Sequence, residues 1–203
     1  MIMRLVMLAA ALALSGCVSV LPEAAPAKPR LHIAAASVDA LSGPALSWSL
    51  AVEEPRSTRD YDTVRIAVAA APGRTEYLGG AEWADRAPKL FQTALIQTYE
   101  DAGRILGVGD RFAVPVADLV LQTDIRHMQL AVDGGTDRAE ISVYARMTDG
   151  KGTVYAAKKF EASSSAGSSS ADDVYMAFDR ASDEIISAIV AWSYEAGETA
   201  RAR

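Results

Sequence analysis

Apolar positions recur along the chain at two spacings, and these assign most of its elements. Leu119, Leu121 and Ile125 share one parity, and Met128, Leu130 and Val132 the other. The switch at Arg126-His127 predicts a bulge. Ala139, Ile141, Val143, Ala145 and Met147 then alternate with Glu140, Ser142, Tyr144 and Arg146 without exception, which is the pattern of a strand with one covered and one wetter face. Asp133-Gly134-Gly135 and Asp149-Gly150-Lys151-Gly152 are turn sequences, and Val154–Phe160 is the returning strand, so this stretch predicts a three-stranded antiparallel meander. Upstream, Leu31–Ser37, Leu46–Val52 and Thr63–Ala70 are shorter strand candidates. Ser42-Gly43-Pro44 separates the first two, and the charged segment Glu53–Asp62 reads as a loop.

Two segments follow helical spacing instead. In Asp85–Ala102, residues Leu90, Phe91, Ala94, Leu95, Tyr99 and Ala102 form one apolar stripe. Asp85 is the expected N-cap, Pro88 is tolerated in the first turn, and Gly103 is the expected C-cap. From about Asp172 to Ala196, residues Val174, Phe178, Ala181, Ile185, Ile189 and Trp192 form a second stripe. The serine-rich run Ser163–Ser170 reads as a mobile loop, and residues 197–203 as a frayed polar tail. Two helices with one apolar face each, and a sheet with one apolar face to receive them, predict an α+β two-layer sandwich. The sheet is expected to be mainly antiparallel, with both helices on one face and a single domain over residues 31–196.

The N-terminus has a different pattern. Residues 1–16 contain Arg4 as their only charge, followed by an apolar run and then small residues, which is the layout of an export signal. Leu5–Leu14 would reach only about 15 Å as a helix, too short for a bilayer core of about 30 Å. Leu14-Ser15-Gly16-Cys17 resembles the lipobox of bacterial lipoproteins in all four positions. The resemblance implies that Cys17, the chain's single cysteine, becomes the acylated first residue of the mature protein. Two or three acyl chains suffice for stable membrane anchoring. Val18 stands where enterobacterial lipoproteins retained in the inner membrane carry Asp, which points to the outer membrane. Residues 17–30, with three prolines in Val18–Pro29, read as a semi-rigid tether. Over the whole chain, 20 Lys+Arg against 26 Asp+Glu gives a net charge of −6. An acidic chain lacks the basic face of a nucleic-acid protein.

Several segments together resemble the ABC-type transport auxiliary lipoproteins, outer-membrane partners of MCE (mammalian cell entry) lipid-transport systems. They are the strand Arg65–Ala69 with Pro72 and Tyr77-Leu78, and Ala81-Glu82-Trp83-Ala84-Asp85-Arg86-Ala87-Pro88 leading into the first helix. Gly103-Arg104-Ile105, the Asp124-Ile125-Arg126 strand and the last helix near Ala191-Trp192 complete the likeness. Leu31–Ser37 lacks the aromatic that usually opens the family's first strand. The resemblance implies a non-enzymatic role in moving phospholipids or related lipids between inner and outer membranes, beside an MCE-domain protein and an ABC permease and ATPase. It also implies a place on the periplasmic face of the outer membrane.

The chain lacks the motifs of common catalytic chemistry. It has no P-loop, no G-x-S-x-G and only two histidines, His32 and His127, so neither a three-His metal centre nor a cofactor is expected. Tyr77 and Trp83 are the candidate contacts for a partner or lipid. For Trp83 the alternative is a staple that packs the loop onto the helix. Two other functions stay open at this level: a lipoprotein regulator of a cell-wall synthesis enzyme, and a hydrolase using a serine with His127.

Overall fold

The computed structural model describes residues 27–132 and 134–202. In chain order the elements are β1 (Arg30–Leu31), a 3-10 turn (Asp39–Leu41), β2 (Ser49–Val52), β3 (Arg65–Ala71), β4 (Arg74–Trp83), α1 (Ala87–Ala102) and β5 (Gly107–Gly109). They continue with β6 (Leu119–Ala131), β7 (Arg138–Thr148), β8 (Val154–Ser165) and α2 (Ala171–Arg201). The strands form one sheet among the described residues.

β6 organises that sheet. One of its edges pairs antiparallel with β7 along nearly its whole length, and β7 pairs antiparallel with β8, which is the predicted meander. The other edge is shared by two short strands placed end to end. β2 pairs with residues 119–121 and β3 with residues 129–131, both parallel to β6. Outside them lie β5 against β2, and β4 then β1 against β3. The sheet is therefore partly parallel. Such parallel pairings depend on long connections that no local periodicity reports. The bulge expected at Arg126-His127 is present: Ile125 faces Val143 and His127 faces Ser142, leaving Arg126 extra.

Both helices cover one face. The buried positions of β6 and β7 (Leu119, Leu121, Ile125, Met128, Leu130 and the five alternating residues of β7) join the stripes of α1 and α2 in one core. The Tyr99 hydroxyl of α1 meets Ser193 Oγ of α2 at 2.6 Å, and burial pushes the Tyr99 phenol well above its ordinary pKa. Gly103 ends α1 at φ 63° and donates to the carbonyls of Tyr99 and Glu100, the expected left-handed cap. Arg86, rather than Asp85, stands at the N-cap. The Asp85 carboxylate instead accepts from the Arg86 amide, one residue away.

Two expectations about segment ends are corrected. Ser163–Ser170 is not a free loop. β8 continues to Ser165, where Arg180 donates to Ser164 Oγ and to the Ser165 carbonyl, both at 2.8 Å. Ser170 then caps α2 by accepting from the Asp173 amide. Residues 197–201 are not frayed but helical, because tertiary contacts hold them. Trp48 packs on Gly197 and its Nε1 donates to Glu198 at 2.8 Å. The strand β4 and the short β5 have no clear alternation in sequence and were not expected as strands.

Asp118 ties the start of β6 to β2 and to the end of α2. Its carboxylate accepts from the Ser49 amide and hydroxyl at 2.9 Å each, and Arg201 approaches it at 3.1 Å. These donors, the Ser49 amide foremost, hold the Asp118 carboxyl below the ordinary carboxylate range. A carboxyl depressed by folding contributes stability that is fully present above its unfolded pKa and lost as pH falls through the folded value. The urea midpoint is therefore expected to fall with acidification below about pH 4, and Asp118→Asn should flatten that fall. Equal acid sensitivity in wild type and variant, measured by tryptophan fluorescence, would contradict this assignment.

Candidate functional site

The two candidate contact residues separate in the fold, and the register of β4 shows why. Arg65 of β3 faces Glu82, yet Ala67 faces Tyr77, so Leu78–Gly80 are extra residues in β4 and the strand changes parity across them. Ala81 and Trp83 turn in toward the helices, whereas Tyr77 turns to the opposite, open face of the sheet. Trp83 is only 2% exposed. Its ring meets Phe178 of α2 edge-on, with centroids 4.9 Å apart. The side chain expected to act at the surface is thus a staple in the core: it fastens the β4–α1 junction to α2 and presents no ring to a partner.

Tyr77 remains at the surface, half-buried, with the Arg65 guanidinium carbon 3.6 Å from its ring centroid. It belongs to a wider set of Arg and Tyr side chains on the open face. Arg146 pairs with Asp124 at 2.7 Å and lies 4.7 Å from the Tyr144 ring, with Arg126 at 5.8 Å from the same ring. Each exposed cation–π contact is worth about 0.5–1 kcal/mol, enough to hold the side chains flat. Strand alternation places Asp124, Tyr144 and Arg146 there, because β6 and β7 send their other parity into the core. Planar cations beside phenol rings suit binding to anionic oxygens or to a partner surface.

The residues of the hydrolase reading come together only in part. His127, Ser142 and Glu161 stand in one row across three strands. However, Ser142 Oγ is buried and makes no hydrogen bond to His127, so the serine–histidine bond that activates a nucleophile is not made. Glu161 is paired with Lys159 at 2.6 Å, and that lysine holds its carboxyl below the ordinary range. Among the described residues no group of three His, Cys, Asp or Glu side chains could hold a metal ion. No helix of the described residues is long and apolar enough to cross a membrane.

Cys17 and its neighbours Leu14, Ser15 and Gly16 lie outside the described residues. One surface feature escaped the sequence reading. Leu106, Phe112 and Val116 are 74%, 95% and 90% exposed, all within the stretch from the end of α1 to the start of β6. The available signal was an apolar run, Phe112-Ala113-Val114-Pro115-Val116, that fits neither a helical nor a strand period.

Comparison with known proteins agrees with this fold. A crystal structure of a protein from Xanthomonas campestris superposes with a TM-score of 0.74 at 24% identity, covering 87% of this chain and 99% of that one. A second solved structure, of an uncharacterised protein, gives a TM-score of 0.60 at 11% identity over 78% of this chain and 97% of that one. In sequence, an uncharacterised protein of Bradyrhizobium diazoefficiens is 35% identical over 160 residues, 74% of this chain. The match covers only 41% of that relative's length. The family model for the ABC-type transport auxiliary lipoprotein component matches residues 30–190, which takes in every strand and most of α2. The chain therefore belongs to the ABC-type transport auxiliary lipoprotein component family.

Proposed function

We propose that this protein is a non-catalytic, lipid-anchored component of an ABC transport system of the MCE type that moves phospholipid. In this reading acylated Cys17 holds it to the periplasmic face of the outer membrane. The family match over residues 30–190 carries the reading. The lipobox-like Leu14-Ser15-Gly16-Cys17, placed a short tether before the matched domain, supports the anchor. The domain's part is recognition. Its open face offers Arg65, Tyr77, Arg126, Tyr144 and Arg146 as a flat polar–aromatic surface for an MCE-domain protein or for lipid headgroups.

Two measurements test this. Radiolabelled palmitate is expected to enter the wild-type protein and to be absent from Cys17→Ala; equal labelling refutes the anchor. Extraction in mild detergent is expected to co-purify an MCE-domain protein with the wild type. Capture of a peptidoglycan synthase in its place would assign the protein to cell-wall synthesis.

A further inference from the structure

The exposed apolar side chains near β5 are held in place by a braced segment. The Asp110 carboxylate accepts from the amides of Phe112 and Ala113 at 2.9 Å each, and the Val114 amide donates to the Asp110 carbonyl. Arg111 donates twice to Glu53 Oε1, at 3.0 and 2.8 Å. Gly109 permits the close approach, since a Cβ there would lie 2.7 Å from Ala113 Cβ. A fixed backbone that points Phe112 and Val116 outward, with Leu106 exposed just before β5, holds apolar surface in water. Single exposed hydrophobics are ordinary, whereas apolar side chains held outward by a braced backbone are surface available for a contact.

Topology sets where the segment faces. β5, β2 and β6 are parallel neighbours in that order, so residues 110–118 must cross β2 to reach the start of β6. They cross on the open face: Glu53, which receives Arg111, also accepts from Gln122, a β6 residue of the parity turned away from the helices. The apolar segment and the Arg–Tyr surface therefore share one face.

The position of the N-terminal chain bears on the occupant. β1 lies on the same side of β6 as β5, beside Glu82-Trp83. Arg65 faces Glu82 and Ala67 faces Gln129, which puts β1 level with residue 127 of β6. β1 runs opposite to β6, so the chain before Arg30 leaves away from the Leu119 end, still in the plane of the sheet, where the Pro29 carbonyl accepts from the Glu82 amide. The residues from Cys17 to position 26 can span about 31 Å when extended. A bilayer lying along the open face, about 10 Å from the sheet, is within that span of the chain beside β1, and tethering at Cys17 raises its effective concentration there. The arginines beside Tyr77 and Tyr144 supply planar cations for headgroup oxygens.

We propose that the Phe112–Val116 segment, with Leu106, is a second and non-covalent membrane contact. It inserts into a phospholipid bilayer surface and lays the open face of the sheet on the lipid. This inference rests on the lipid anchor proposed above.

The test uses the full chain, processed in cells and reconstituted into phosphatidylethanolamine–phosphatidylglycerol vesicles with either plain or brominated acyl chains. Phe112→Trp adds a reporter, and the wild-type signal from Trp48, Trp83 and Trp192 is subtracted. Bromine is expected to quench the added emission about twofold or more, with a blue shift, as for an aromatic at the acyl boundary. Unquenched emission from acylated protein overturns the proposal. A blue shift without quenching that grows with protein density shows contact with a second copy, and one that needs an added MCE-domain protein shows a protein partner; either also overturns it. Phe112→Ser with Val116→Ser should leave the unfolding temperature unchanged, because both side chains are exposed. The same pair should abolish insertion, read as lost protection of residues 106–116 from proteolysis on vesicles. Protein found without acyl chains defeats the anchor reading, while quenching on added vesicles still decides the segment.

Discussion

Trp48→Ala is expected to destabilise the protein by about 3–5 kcal/mol, a loss on the order of 10 °C in unfolding temperature for a domain of this size. Trp48 is fully buried, and its indole lies across Gly197 near the end of α2. A Cβ at position 197 would sit 2.3 Å from Cζ2 of that ring, so the glycine is present for close approach at a helical site where alanine would otherwise be preferred. This makes the sign of a second substitution depend on the first. With Trp48 in place, Gly197→Ala forces the ring aside and should cost about 1–3 kcal/mol. With Trp48→Ala, the same change meets open space and should recover up to about 1 kcal/mol of helix propensity. Urea denaturation of the four proteins measures the cycle. The same sign for Gly197→Ala in both backgrounds would defeat this account of the contact.

Trp83→Ala is expected to cost a similar amount, about 3–5 kcal/mol, through the cavity left between β4, α1 and α2. The edge-to-face pair with Phe178 should appear as a coupling of about 0.5–1.5 kcal/mol in a cycle with Phe178→Ala. This separates a packing role from a binding role. A core staple loses stability and cellular abundance together, and the protein that remains folded keeps its partners. A Trp83→Ala variant of unchanged stability that no longer binds partner or vesicle would return the residue to the surface role suggested by its place beside a helix start.

The meander shows how far local pattern carries. β6, β7 and most of β8 follow from period-two alternation, and even the bulge at Arg126 appears as a change of parity. The two helical stripes follow in the same way, because burial of one face is all that a period of 3.6 encodes. β4 was hidden by a similar device in a less regular strand. Its three extra residues break alternation between Tyr77 and Ala81, so Tyr77 and Trp83 look alike in sequence and face opposite ways in the fold. The serine-rich run looked unstructured because composition describes only the segment itself. Its last ladder positions are held by Arg180, which is on another element.

Sequence alone determined the family resemblance, the two-layer class, the core stripes and the lipobox-like Cys17, since each depends on residue type and local spacing. Tertiary structure decided which aromatic is buried, where α2 ends, which strands run parallel, and that Phe112 and Val116 stand in solvent on the same face as the arginines. Those outcomes depend on residues far apart in the chain meeting across the sheet. A hydrophobic side chain has the same affinity for any apolar neighbour, and only the assembled fold settles whether it finds one within the protein.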